Sequence, residues 1–182
     1  MVRHTIYDAS AVFMRDNRHL TLENITIYGS PGNAVVTTGR QQFWRLSKCR
    51  LMKRPGTSRC VSGTADGHHI TNSLGYFIME DCDFSFQGDD ALNVHDNSIG
   101  HVYRTEDGWL RMGQPERNIR LIEPGDRLEF RNADFSPVGF AGTAAEMRAD
   151  YENGRCYLRL EEALPEYLPE DMTIFNRSYD SG

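Results

Sequence analysis

Three carboxylates stand out for what they could do together. In FQGDDALNVHD, Asp89 and Asp90 are adjacent, and GTADGHHITN places Asp66 24 residues before Asp90. The flanks match in kind, with Ala65, Asp66, Gly67, His68, His69 and Ile70 set against Asp89, Asp90, Ala91, Leu92, Asn93 and Val94. If 24 residues make one coil of a repeating fold, equivalent backbone positions stack about 4.8 Å apart. Asp66 and Asp90 then become neighbours on one face, and Asp89 reaches across from the side. Such a cluster must be held by a shared proton, a metal, or a substrate that needs an acid and a base. Carboxyl groups about 6.5–9.5 Å apart suit inverting glycoside hydrolysis, and about 5–5.5 Å suits retention. Asp89 against the Asp66/Asp90 pair is expected to supply the wider gap. The alternative is that aspartates in turns merely bond the backbone.

Polar neighbours follow each motif. His68 and His69 lie just past Asp66, and His95 just past Asp90. All three are expected at the same patch, as hydrogen-bond partners of hydroxyls or carboxylates. Strand alternation would nevertheless bury one of His68 and His69 and expose the other. Asn72 and Asn93 read first as an internal polar ladder. Gly88 is the glycine near enough to shape the site. Trp44 and Trp109 offer faces that suit a hexose, but core packing is the expected role of each.

The elements that would position these residues are short and recurrent. LENITI, LSKCRL and MEDCDF share a pattern in which Ile25, Cys49 and Cys82 occupy one slot and Ile27, Leu51 and Phe84 another. The second interval carries about nine extra residues, which turn chemistry assigns to a loop over 53–58. A period in the low twenties, with period-two alternation inside each run, predicts an all-β solenoid, a right-handed parallel β-helix. The pattern changes near residue 100. The segments 101–104 and 109–112 alternate around Glu106-Asp107-Gly108 as a hairpin. Strands are expected near 124–130, 156–160 and 172–176, and 141–150 fits either a short helix or a strand. The expected division is coils over 1–100, an inserted small antiparallel β-barrel or sheet over 101–177, and a cut return to the coils over 178–182.

Composition narrows the function classes. The chain has 182 residues, a formal charge of −6 and a pI near 5.5, with no Lys/Arg run. That argues against nucleic acid or another polyanion as partner. No apolar run is long enough to span a membrane, and residues 1–7 do not read as a signal peptide. Both ends read as cut from something longer. Cys49, Cys60, Cys82 and Cys156 lack zinc spacing and are expected to be buried thiols rather than disulfides. No P-loop, dinucleotide fingerprint or nucleophile elbow is present.

The stretch TADGHHITNSLGYFIMEDCDFSFQGDDALNVHD resembles the signature of glycoside hydrolase family 110, the bacterial α-1,3-galactosidases. That family pairs an alanine-aspartate segment with a D-D-A-x-N-x-H segment about one coil later. Asp66, Asp89, Asp90, Asn93 and His95 match it position by position, and LTLENITIYGSPGNAVV is similar to its preceding coils. The likeness covers residues 10–100 well and the remainder loosely. It departs at NSLG, where N-C-x-G is more usual. The resemblance implies a β-helix with an inserted barrel, and inverting, metal-independent release of terminal α-1,3-linked galactose without a cofactor. Asp66, Asp89 and Asp90 would be the acid–base machinery, and His68, His69, Asn93 and His95 would contact an oligosaccharide or glycoconjugate substrate. Asp89 is favoured as acid and Asp66/Asp90 as holders of water, with the reverse nearly as good on the residues alone. It also implies further coils that complete the cleft and an extracellular or periplasmic setting. Two rival functions fit the same residues: a calcium-dependent β-helical polysaccharide lyase, and a non-catalytic carbohydrate-binding module. The sequence leaves the oligomeric state open.

Overall fold

The computed structural model describes residues 9–181. The expectations about a leader at residues 1–7 and a cut end at Gly182 lie outside them. By internal contacts the chain divides into two compact units, Met1–Asp96 with Tyr179–Gly182, and Asn97–Ser178.

The first unit repeats a three-strand pattern. It begins with β1 (Val12–Arg15), β2 (Thr21–Glu23) and β3 (Thr26–Ile27). It recurs as β4 (Val35–Thr38), β5 (Trp44–Ser47) and β6 (Arg50–Leu51), and again as β7 (His68–Thr71), β8 (Phe77–Glu80) and β9 (Asp83–Phe84). A final strand, β10, spans Leu92–His95. Equivalent strands pair in parallel, giving sheets of order β1-β4-β7-β10, β2-β5-β8 and β3-β6-β9. Thr21 aligns with Arg45, and Thr26 with Arg50. After the longer interval Trp44 aligns with Phe77, and Arg50 with Asp83. This nearly all-β arrangement of parallel sheets is consistent with the expected β-helix.

The corners explain why such short strands suffice. Asn24, Lys48 and Asp81 stand at equivalent positions and share a positive φ of 56°, 54° and 52°. His19, Phe43 and Tyr76 do the same before the second strand of each repeat. Their rings stack at 5.1 and 5.3 Å between centroids, so contact along the row offsets the left-handed backbone's cost. Inside, Met14, Val35, Trp44, Leu46, Cys49 and Ile70 form the core. Trp44 stacks on Phe77 at 5.1 Å, the packing role expected of it.

The second unit closes on itself. Its strands are β11 (Ser98–Arg104), β12 (Leu110–Gly113), β13 (Arg127–Asn132), β14 (Pro137–Asp150), β15 (Arg155–Leu160) and β16 (Met172–Asn176). They pair antiparallel as a closed barrel in the order β11-β12-β15-β14-β13-β16. One short helix, α1 (Pro115–Asn118), had no counterpart in the sequence reading. Residues 141–150 are strand, because β14 pairs with β13 along its first half and β15 along its second. Trp109 is not in this core. It lies half-buried under the guanidinium groups of Arg148 and Arg159, 4.4 and 5.6 Å from its ring. All four cysteines are free thiols, and Cys60 is exposed rather than buried.

Candidate active site

The aspartates are positioned by the register of β7 against β10. His68 aligns with Leu92, and His69 with Asn93. The Gly67 N–H donates to the Asp90 carbonyl at 2.8 Å, and the His68 N–H to the Ala91 carbonyl at 3.0 Å. A Cβ on Gly67 would stand 2.6 Å from the Ala91 oxygen and 2.9 Å from Phe84. Only glycine therefore lets the two motifs approach this closely. From the preceding repeat, the Asn33 side-chain oxygen accepts the Asp66 N–H at 3.0 Å.

This backbone brings the three carboxylates together. One carboxylate oxygen from each of Asp66, Asp89 and Asp90 lies within 4.8 Å of the others. Asp66 is buried, and Asp89 and Asp90 are exposed. The wider gap expected for Asp89 is not the arrangement seen, because its oxygen joins the same patch. If all three are ionised, each pair repels by about 1–3 kcal/mol at these separations. A proton, a cation or a bound polar ligand relieves that repulsion.

Asp66 is held by two side chains of β7 and β10. Its Oδ2 meets His69 Nδ1 at 2.6 Å and accepts from Asn93 Nδ2 at 3.3 Å. His69 Nε2 in turn lies 3.3 Å from His95 Nε2, with the two rings nearly perpendicular. A neutral His69 satisfies the whole row in one arrangement. His69 donates through Nδ1 to the Asp66 carboxylate and accepts at Nε2 from His95. His95 is exposed, so the row runs from a buried carboxylate to the surface. Asn93 thus faces the aspartates, rather than joining a buried ladder.

His68 corrects the expectation of a substrate contact. It is fully buried on the opposite face of β7, with Nε2 2.9 Å from Thr37 Oγ1 and Nδ1 3.4 Å from Met79 Sδ. The alternation that turns His69 outward turns His68 inward. Burial, aided by the neighbouring His69, lowers its pKa to about 4. It belongs to the core as a neutral imidazole.

Asp96 was missed by the sequence reading. It accepts the Asn72 N–H at 3.0 Å and bonds Ser181 through both side-chain oxygens. The Asp180 N–H also donates to the Ser73 carbonyl at 2.8 Å. The chain therefore returns to the coils where NVHD ends. The available signal was the position of Asp96, 24 residues after Asn72, the spacing of the two aspartate motifs.

No family model matches the chain. Similarity to curated proteins is extensive over a short span. An α-1,3-galactosidase B of Akkermansia muciniphila is 27% identical over 166 residues, covering 89% of this chain and 20% of that protein. An α-1,3-galactosidase A of Shewanella woodyi is 33% identical over 130 residues, covering 69% and 21%. An α-1,3-galactosidase A of Akkermansia muciniphila is 30% identical over 131 residues, covering 70% and 22%. The chain spans about a fifth of the length of these relatives. The motifs and these alignments agree: the chain is a homologue, over that fifth, of the α-1,3-galactosidases of glycoside hydrolase family 110.

Proposed function

We propose that these coils carry the acid–base centre of an exo-acting glycoside hydrolase that removes terminal α-1,3-linked galactose from glycans. In this reading the coils form a right-handed parallel β-helix and the protein works outside the cytoplasm. One observation carries it. A buried carboxylate held by His69 and Asn93 shares a patch with two exposed carboxylates, in a chain whose relatives are named α-1,3-galactosidases.

The roles follow from exposure and hydrogen bonding. Donors aimed at Asp66 Oδ2 suit an ionised acceptor, which is the state a base needs. Asp66, with Asp90 beside it, holds a water and takes its proton as the water oxygen attacks the anomeric carbon. Asp89 is exposed and turns outward as the sugar enters, opening the gap that inversion requires. Its proton passes to the glycosidic oxygen as the bond from that oxygen to the anomeric carbon breaks. The three nearest oxygens lie closer than an inverting pair needs, so this rotation is part of the mechanism. No metal or cofactor takes part.

A second reading draws on the same distance. Three carboxylate oxygens within 4.8 Å suit a hard divalent cation such as calcium, as in a lyase. The test is galactose release from an α-1,3-galactobioside, with and without chelator, in the protein and in Asp90→Asn. The hydrolase reading expects release indifferent to chelator and reduced roughly a hundred- to ten-thousandfold by the substitution. Loss on chelation that calcium restores would favour the cation. Binding of the galactobioside without release would favour a carbohydrate-binding module.

A further inference from the structure

A cavity of about 930 Å³ opens among the coils, and none of the three aspartates lines it. One wall is the turn Tyr28, Gly29, Ser30 and Pro31, and the other belongs to the longer second interval, over residues 54–64. The charged residues in its lining are Arg54 and Arg59, with no Asp or Glu. That is unusual in a chain whose formal charge is −6. Neither arginine forms an ion pair with a carboxylate among the described residues.

Both guanidinium groups are held in place. Arg59 Nη1 donates to the Tyr28 carbonyl at 2.8 Å. A Cβ on Gly29 would lie 2.4 Å from that nitrogen, so the guanidinium rests against bare backbone. Arg54 lies over the Tyr28 ring, 5.7 Å from its centroid. Thr57 bonds the Arg54 carbonyl at 2.7 Å and fixes the loop. Among the described residues Arg59 makes one hydrogen bond, which leaves further N–H groups for a ligand, since guanidinium has five.

The cavity belongs to the same row of turns as the aspartates. Ser30 and Gly63, both in its lining, form a parallel bridge. Its two walls run on to Asn33 and Asp66, which are joined by the 3.0 Å hydrogen bond described above. A glycan lying along this row would pass from the carboxylates to the arginines.

We infer that this cavity is an anion subsite, which receives a sulfate or carboxylate borne by the glycan. The anion preference stands on the arginines, and its placement on a galactoside rests on the hydrolase reading. The net charge of −6 over the whole chain does not oppose it, because the positive charge of Arg54 and Arg59 is local.

The test is calorimetric binding at about 0.15 M ionic strength, where exposed charges beyond about 8 Å are largely screened. The probes are a sulfated oligosaccharide containing α-1,3-linked galactose, its desulfated counterpart, and a galacturonate oligosaccharide. Charge-assisted bonds to one arginine predict at least about tenfold tighter binding of an anionic probe than of the desulfated one. The sulfated and galacturonate arms tell which anion is preferred. Arg59→Ala should remove the preference and leave the desulfated affinity in place. Gly29→Ala should weaken it with all charges retained, and guards against a folding defect in the arginine variant. Equal binding of all three probes, or a preference that survives Arg54→Ala/Arg59→Ala, would overturn the inference. Anion preference without galactose release from the desulfated probe would instead count against the hydrolase reading alone.

Discussion

The two units use the same material differently. The barrel closes its sheet, so each strand has partners on both sides and Leu110, Leu128, Phe130, Leu158 and Met172 are wholly buried. The coils stack in one direction, and β10, β8 and β9 are the last strands of their sheets among the described residues, with β10 ending the sheet that carries the site. There the inward column is exposed: Leu92 and Val94, which continue the line of His68 and Ile70, are 44% and 37% accessible. Closure removes edges, whereas stacking leaves side chains of successive coils aligned on an accessible flank. The aspartates and the arginine cavity both lie in the coils. A stacked sheet thus yields a site from two short motifs one coil apart, which a closed barrel with a shuffled strand order does not.

Substitutions can break that contrast or sharpen it. Phe130→Ala in the barrel should cost about 3–5 kcal/mol, read as a fall in the denaturant midpoint. Leu92→Ala at the outermost coil should cost well under about 1 kcal/mol, because the side chain is already half in water. Similar losses at the two positions would mean that the coil edge is covered in solution.

His68 gives the coils a pH dependence of their own. Its folded pKa of about 4 lies below the ordinary histidine value of 6.5. The unfolded chain therefore binds the extra proton first as pH falls. The contribution is present above pH 6.5 and is lost progressively between 6.5 and about 4, up to about 3 kcal/mol. Urea midpoints measured down that range should drop, and His68→Leu should flatten the slope. An unchanged slope in the variant would assign the effect elsewhere.

Gly67→Ala tests the close approach at the site itself. Its Cβ would meet the Ala91 carbonyl at 2.6 Å, a backbone atom that cannot swing aside. The expected loss is about 1–3 kcal/mol, and displacement of Asp90 should reduce galactose release with it. Retained activity would show that the coils separate without disturbing the carboxylates.

Much of this was legible in the residues, for a physical reason. Repeated strands paired in parallel write their register as spacing, so the 24 residues between Asp66 and Asp90 become the pairing of β7 with β10. The slot shared by Ile25, Cys49 and Cys82 likewise becomes one corner, where Cys49 and Cys82 each reach a carbonyl of the preceding coil. What spacing does not carry is phase and direction. Period two requires that one of His68 and His69 be buried, but not which. Asp89 is exposed, and the spacing of the motifs does not carry the direction of its side chain. The pairing of Arg59 with Tyr28, 31 residues away, depends on a loop whose path no repeat specifies. In the barrel, β14 lies between β13 and β15 while β11 lies between β12 and β16. Antiparallel closure of that kind leaves no periodic trace.

The proposed inverting hydrolysis of an α-1,3-galactoside rests on the Asp66, Asp89 and Asp90 patch. Proton NMR of the first galactose released from an α-1,3-galactobioside tests it most directly, with Asp90→Asn as control. Inversion predicts β-galactose first, its later mutarotation to the α anomer, and no such signal from the variant. α-Galactose appearing first would contradict it, and would make the closely spaced carboxylates a nucleophile and its acid rather than a base and its water.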